Sequence, residues 1–194
     1  MAERFSRAVA AGVEVTLLHG NRDFLLGPEF AAASGARVVA GGLRVDLGGV
    51  DTVLLHGDEL CQNDLPYQRA KRWLRHPWTR AVARRLPLRL ALAAAAPAPA
   101  PSRKVVGSGD PTRFLPTAAA VEAAFATGAR QLVFGHIHRF AHGRHGGGVY
   151  WVLPAFDATA TGLFVNEAGL SPVRFLTGGA MTPVEAPAAC PFVP

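Results

Sequence analysis

The chain has 194 residues and a mass of 20.4 kDa, which is enough for one domain with a buried core and short for two. Hydrophobic residues make up 49% of it and charged residues 18%, a balance that excludes wholesale disorder, and two cysteines exclude a disulfide framework. The net charge is +6, and all of its cations except Lys71 and Lys104 are arginines. Arginine suits phosphate ligands, although an arginine-rich proteome would give the same excess.

Hydrophobic periodicity and turn residues predict alternating helices and strands. The predicted elements, in chain order, are a helix at 2–11, a strand at 13–18, a helix at 28–35, strands at 37–39, 43–47 and 50–55, helices at 66–86 and 116–127, and strands at 131–134, 149–153, 161–166 and 173–176. Gly48-Gly49 predicts a two-residue hairpin turn. The Ala/Pro-rich run 88–101 is typical of a connector, and no apolar run is long enough to span a bilayer.

Three predicted strands end in a histidine next to glycine. These ends are Leu18-His19-Gly20-Asn21, Leu55-His56-Gly57-Asp58 and Phe134-Gly135-His136-Ile137-His138. Because the carboxyl ends of strands in an α/β sheet converge at one edge, we expect the polar side chains to meet there. A single histidine after a strand is more often structural, but three such ends favour a functional site.

The residue types at these ends predict a metal site that acts on phosphate. Neutral imidazoles and an amide oxygen are ligands for Mn²⁺, Fe²⁺ or Zn²⁺, and the sequence offers Asn21, His56, His136 and His138. Arg22 is placed to contact a phosphate oxygen and neutralise developing charge. The predicted reaction is metal-assisted hydrolysis at phosphorus.

These motifs resemble those of the calcineurin-like metallophosphoesterases. The longer strings Gly20-Asn21-Arg22-Asp23-Phe24-Leu25-Leu26-Gly27 and His56-Gly57-Asp58-Glu59-Leu60-Cys61 resemble the UDP-2,3-diacylglucosamine hydrolases in particular. The resemblance implies an α/β sandwich of mixed β-sheets flanked by helices, with a helical lid insertion at 66–115. It also implies cleavage of a UDP-linked diacylated sugar to UMP and a lipid 1-phosphate in lipid A biosynthesis.

The resemblance assigns roles to individual residues. Asn21, His56 and His136 correspond to ligands of one Mn²⁺ ion and His138 to a ligand of a second, with Arg22 and His136 as the catalytic residues. The substrate-binding residues that it implies are Asn21, Arg22, Asp64, Tyr67, Ser102 and Lys104.

The chain departs from the family in its first strands. The family begins with strands that end in Asp-x-His and Gly-Asp, whose carboxylates complete the metal shell, and no Asp-x-His occurs in the 194 residues. We therefore expect a domain at 1–176 that is truncated at its N-terminus, followed by a Pro/Ala-rich tail at 177–194, with impaired activity. A genuinely short protein is the alternative.

Three function classes stay open at this point. They are the UDP-diacylglucosamine hydrolase, another calcineurin-like phosphoesterase, and a non-catalytic relative that binds a nucleotide-lipid.

The arginine-rich stretch around Trp73 and Trp78 has three interpretations: a solvated helix face, a membrane-surface element or a nucleic-acid patch. A lipid-bearing substrate favours the membrane and not nucleic acid, so we expect a cytoplasmic protein peripheral to the inner membrane. His142 and His145 are predicted to lie in a solvated glycine-rich loop and His19 to point back into the sheet.

Overall fold

The computed structural model describes residues 1–21, 23–85, 111–157, 159–185 and 187–194. The elements are, in order, α1 (Ala2–Ala10), β1 (Thr16–Leu18), α2 (Pro28–Ser34), β2 (Arg37–Val39), β3 (Leu43–Leu47), β4 (Val50–Leu55), α3 (Leu65–Leu74), α4 (Pro77–Arg85), a 3₁₀ helix (Pro111–Phe114), α5 (Ala118–Ala126), β5 (Gln131–Phe134), β6 (Ala141–His145), β7 (Gly148–Val152), β8 (Thr161–Asn166), β9 (Gly169–Phe175) and β10 (Met181–Pro183). No helix within these described ranges is long and apolar enough to cross a membrane.

A five-stranded mixed sheet carries the predicted strand ends. Its order is β3-β4-β5-β7-β6, and the three central strands run parallel. Leu55, the last residue of β4, pairs with Phe134, the last residue of β5, so these two strands end at the same level. A two-stranded parallel sheet of β1 and β2 and a three-stranded antiparallel sheet of β8, β9 and β10 complete the β structure. The predicted α/β class with mixed sheets and flanking helices is confirmed.

The core lies between α5 and one face of the five-stranded sheet. Its buried side chains include Val121 and Phe125 from α5, Leu132 and Phe134 from β5, and Tyr150 from β7. The packing is closest where α5 crosses β7, since a Cβ added at Gly148 would lie 2.1 Å from the Phe125 ring. This core holds β5 rigidly, and β5 in turn fixes the position of the loop that begins at Gly135.

The predicted helix at 66–86 is two helices. α3 ends at Leu74 and α4 begins at Pro77, because proline has no backbone N–H and the residue before it disfavours the helical region. Pro77 is the first residue of the new helix, a position that proline favours. The break places Trp73 near the end of α3 and Trp78 near the start of α4.

The solvated loop predicted around His142 and His145 is wrong. Residues Ala141–His145 form β6, which pairs with β7, and only Gly146-Gly147 forms the turn, with φ angles of 55° and 82°. A run of Ala, His and Gly has little β propensity of its own, so pairing with the buried strand β7 decides its structure. His142 stacks on Trp151 with ring centres 3.7 Å apart.

The segment predicted as a tail packs on the core. It contains β10, which pairs with β9, and its Cys190 is buried. The Tyr150 hydroxyl donates to the Cys190 carbonyl at 3.2 Å and accepts from its N–H at 2.9 Å, while Val193 forms a bridge with Thr117. A short strand, a backbone bridge and the Tyr150 hydroxyl thus hold the segment in place. The boundary predicted at residue 176 stays a prediction.

Candidate functional site

Two of the predicted strand ends meet directly. β4 and β5 are parallel neighbours that end in register, and the Gly135 N–H donates to the His56 carbonyl at 3.0 Å. The His56 and His136 rings therefore lie with centres 5.1 Å apart and planes at 67°. Gly57 allows this approach because its φ is 110° and an added Cβ would lie 2.9 Å from the Gly135 carbonyl oxygen.

The loop after β5 holds two histidines in the left-handed region. His136 has a φ of 70° and His138 a φ of 51°, where side chains other than glycine are uncommon and cost free energy. Such conformations persist when surrounding structure imposes them, and they concentrate at functional sites. Both histidines predicted as metal ligands in this loop have this feature.

The third strand end reaches the same place. A Cβ added at Gly20 would lie 3.0 Å from His56 Cε1 and 3.0 Å from the Asp23 carboxylate. Asn21, half-buried, follows Gly20 directly. His19 is buried, and its Nε2 hydrogen-bonds the Leu26 carbonyl at 2.8 Å, in the loop that follows Asn21.

Burial keeps the two central imidazoles neutral. It lowers the pKa of His56, and burial followed by the charge of His56 lowers the pKa of His136. The charge of His138 also acts to lower the pKa of His136. His56 Nε2 is buried and has no hydrogen-bond partner in the described part of the chain. A neutral imidazole with a free buried nitrogen has the form that binds a metal ion.

The donor set fits a transition-metal ion in ligand type, with two imidazoles and a neighbouring asparagine. In the described ranges, which leave out residues 22 and 86–110, no group of three or more His, Cys, Asp or Glu side chains is arranged to hold an ion. His56 and His136 are together, and Asn21 follows the glycine that contacts His56.

A buried carboxylate lies beside this cluster. The Asp58 side chain is 1% exposed, and its Oδ2 accepts from the Tyr67 hydroxyl at 2.5 Å and from the Lys71 ammonium at 2.7 Å. Burial opposes ionisation of Asp58, but hydrogen bonds with Glu59, Lys71 and Tyr67 hold its pKa below the usual range. Burial and the Asp58 hydrogen bond raise the pKa of Glu59. Asp58 therefore loses its proton at a lower pH than Glu59 does.

The predicted substrate residues have contacts within the protein. Asp64 caps α3, because its Oδ1 accepts from the Tyr67 backbone N–H at 3.4 Å, and Tyr67 donates its hydroxyl to Asp58. The ring of Tyr67 lies 6.1 Å from that of His136, so the helix that Asp64 starts faces the histidine cluster. Arg22, Ser102 and Lys104 lie outside the described residues.

Sequence reasoning missed the Asp58 network. Its partners Tyr67, Lys71 and Arg75 follow one another at intervals of four on α3 and the residue after it, so they share one helix face. That spacing, next to an aspartate in the His56-Gly57-Asp58 string, was a signal in the sequence. Only the fold shows that the face points toward the strand ends.

The chain shares most of its length with curated relatives. It is 36% identical over 175 residues to a UDP-2,3-diacylglucosamine hydrolase of Ralstonia nicotianae, an alignment that covers 81% of this chain and 65% of the relative. Relatives with the same name from Nitrosococcus oceani and Aeromonas salmonicida are 38% and 39% identical, over 69% and 72% of this chain and 54% and 55% of theirs. The chain thus spans between about half and two thirds of the length of these relatives.

The architecture is the α/β arrangement of mixed sheets predicted for a calcineurin-like metallophosphoesterase. The predicted resemblance to the UDP-2,3-diacylglucosamine hydrolases is confirmed across the aligned region. No protein-family model matches the chain. Crystal structures of Vps29 from Entamoeba histolytica match at TM-scores of 0.33 and 0.36, with 13% and 14% identity, over 93% and 94% of this chain and 83% and 89% of theirs. Similarity of this size says nothing about function.

Proposed function

We propose that the chain carries the active-site histidines of an enzyme that hydrolyses UDP-2,3-diacylglucosamine. The pyrophosphate bond is cleaved to give UMP and 2,3-diacylglucosamine 1-phosphate, a step of lipid A biosynthesis. The observation that carries the proposal is that His56, His136 and the Gly20-Asn21 turn meet at the ends of β4 and β5, in a chain similar to hydrolases of that name. The proposed catalytic residues are Arg22 and His136.

Manganese is the proposed cofactor. Asn21, His56 and His136 would hold one ion and His138 would contribute to a second. The buried, unpartnered Nε2 of His56 supports a metal ligand at this position, since a buried polar atom needs a partner and imidazole is a common metal ligand. The amide oxygen of Asn21 is the ligand that suits Mn²⁺. When bound, a divalent ion supplies Lewis-acid chemistry to the phosphate.

The chain's own residues bind and orient the substrate. Arg22 would neutralise charge on the phosphate, Ser102 and Lys104 would add contacts from the insertion, and Asp64 and Tyr67 would meet the sugar-nucleotide part. The Tyr67 hydroxyl already donates its hydrogen to Asp58. Tyr67 would therefore contact a ligand through a lone pair of the hydroxyl oxygen or through its ring. Burial of His136 keeps its imidazole neutral at physiological pH, which lets it accept a proton or bind an ion.

The lipid part of the substrate and the membrane would meet α3 and α4. Trp73 is 71% exposed and Trp78 78% exposed, and both line an open groove of 510 Å³ with Val82. Arginines on the same helices, including the exposed Arg69 and Arg72, suit anionic headgroups. These features support contact with an anionic membrane surface. The proposal is a cytoplasmic protein peripheral to the inner membrane, without nucleic acid as a partner.

A non-catalytic relative that binds a nucleotide-lipid is the second candidate. It is favoured by the lack of a three-ligand group within the described ranges. Both candidates predict binding of UMP or of the lipid 1-phosphate, and only the first predicts turnover.

The deciding experiment is release of UMP from UDP-2,3-diacylglucosamine, followed by ³¹P NMR with and without Mn²⁺. We expect slow, Mn²⁺-dependent release that His136→Ala abolishes. Ligand binding without Mn²⁺-dependent release would favour the second candidate, and neither binding nor release would exclude both.

A further inference from the structure

Arg75 connects two of the three strand ends. Its Nη2 donates to the Gly20 carbonyl at 3.2 Å and to Asp58 Oδ2 at 3.4 Å. Gly20 precedes Asn21, and Asp58 lies two residues after His56. One guanidinium group thus bridges the turn that carries the amide to the loop that carries the central imidazole.

Charge balance alone does not require Arg75 at this position. Asp58 already has a cation at 2.7 Å, the Lys71 ammonium, whose side chain is 16% exposed. The contact that Arg75 makes and Lys71 does not is the one with the Gly20 carbonyl. A guanidinium can serve two acceptors in fixed directions, so it sets a distance between them as well as a charge.

The Gly20 turn needs such a contact because it lies directly against His56. An added Cβ at Gly20 would be 3.0 Å from His56 Cε1, so a shift of the turn changes where Asn21 stands relative to the imidazole. β1 is only three residues long and pairs only with β2 among the described strands. The turn therefore has little backbone support from its own strand.

We propose that Arg75 is a positioning residue that holds the Gly20-Asn21 turn against His56 by bridging the Gly20 carbonyl to Asp58. The inference rests on the proposed function, because it concerns the spacing of Asn21 and His56 as neighbouring ligands. It assigns Arg75 no contact with substrate. The residue acts through the turn, and its effect on metal binding follows from the geometry of that turn.

The test compares Arg75→Met with Lys71→Met by NMR without added metal. Both variants remove one cation from Asp58, but only Arg75→Met removes the bond to Gly20. In Arg75→Met we expect the ¹⁵N order parameters of Gly20 and Asn21 to fall from about 0.85 to below about 0.6 and the His56 Cε1–H resonance to shift. In Lys71→Met the order parameters stay in the rigid range.

Equal loosening in both variants would overturn the proposal, since an ordinary ion-pair role predicts that result. Unchanged order parameters of Gly20 and Asn21 in Arg75→Met would also overturn the proposal. If Arg75→Met does not fold, Arg75→Lys replaces it, because the shorter ammonium group keeps the charge near Asp58 and loses the fixed bridge to Gly20. Loosening of the turn in Arg75→Lys, with none in Lys71→Met, would then assign the effect to the lost bridge and not to the charge.

Mn²⁺ titration of the same proteins separates this inference from the proposed function. We expect Arg75→Met to bind Mn²⁺ about tenfold more weakly than the wild type, the effect of losing one charge-assisted hydrogen bond. Arg69→Met, an exposed change on the same helix, serves as the control with wild-type affinity. A wild-type chain that binds no Mn²⁺ would contradict the proposed metal, while the order parameters would still decide the role of Arg75.

Discussion

His56 and His136 face each other with ring centres 5.1 Å apart because β4 and β5 are parallel neighbours that end in register. Their pairing needs no help from a ligand, since the strands are fixed by the core beneath them and by the Gly135 hydrogen bond to His56. Two neutral imidazoles at a fixed separation form part of a binding site, and Gly20, the residue before Asn21, lies against the ring of His56.

Removing either imidazole should weaken metal binding. We expect His56→Ala and His136→Ala to lower Mn²⁺ affinity at least as much as loss of an outer-shell partner does, which is about 10- to 100-fold. Isothermal titration calorimetry measures the change. His76→Ala, a histidine exposed between α3 and α4, is the matched control and should leave the affinity unchanged. Equal weakening in all three variants would contradict the site.

Gly57 should be the least replaceable glycine of the site. Gly57→Ala places a Cβ 2.9 Å from the Gly135 carbonyl oxygen at a φ of 110°, so both strain and contact oppose it. We expect a loss of unfolding free energy of about 1–3 kcal/mol from the strain alone, measured by urea denaturation. Gly49→Ala is the control, because Gly49 also has a positive φ but its added Cβ meets nothing within 4 Å. A smaller loss at Gly57 than at Gly49 would be inconsistent with this account.

The sequence predicted the part of this site that depends on strands and their ends. The bounds of β3, β4 and β5 match the predicted ones, because β-branched and leucine runs between glycines allow few alternatives. Their convergence followed from the general rule for α/β sheets. The Asp58 network was not predicted, because which face of α3 meets a buried carboxylate depends on how that helix packs against the strand ends.

The same limit explains the errors outside the site. β6 consists of Ala-His-Gly-Arg-His, which has no strand pattern of its own, and β7 imposes the structure. The C-terminal segment is held by contacts such as those of Tyr150 with Cys190, which join residues far apart in the chain. Local propensity does not encode contacts of this kind.

Both cysteines should resist alkylation while the chain is folded. Burial raises the pKa of Cys61 to about 12 and also raises that of Cys190, so at pH 8.5 both thiols are protonated and shielded. Because the thiolate is the reactive form, iodoacetamide should modify them much more slowly in buffer than in urea, where the pKa returns to its ordinary value. Mass spectrometry of the two peptides measures each rate. A folded Cys61 that reacts at the unfolded rate would show that its loop opens readily.

The exposed tryptophans should matter for membranes and not for folding. Trp73 and Trp78 lie on consecutive short helices with arginines beside them, an arrangement that places aromatic rings at a lipid interface and cations at anionic headgroups. We expect the wild-type protein to co-sediment with vesicles rich in anionic lipid and to lose binding as the salt concentration rises. The Trp73→Ala/Trp78→Ala double variant should lose most of this binding and keep the melting temperature of the wild type. Phe156→Ala is the control, because Phe156 is as exposed as Trp73, at 71%, but lies between β7 and β8. Equal loss of binding in the control, or binding to duplex DNA as strong as to vesicles, would contradict a membrane role for α3 and α4.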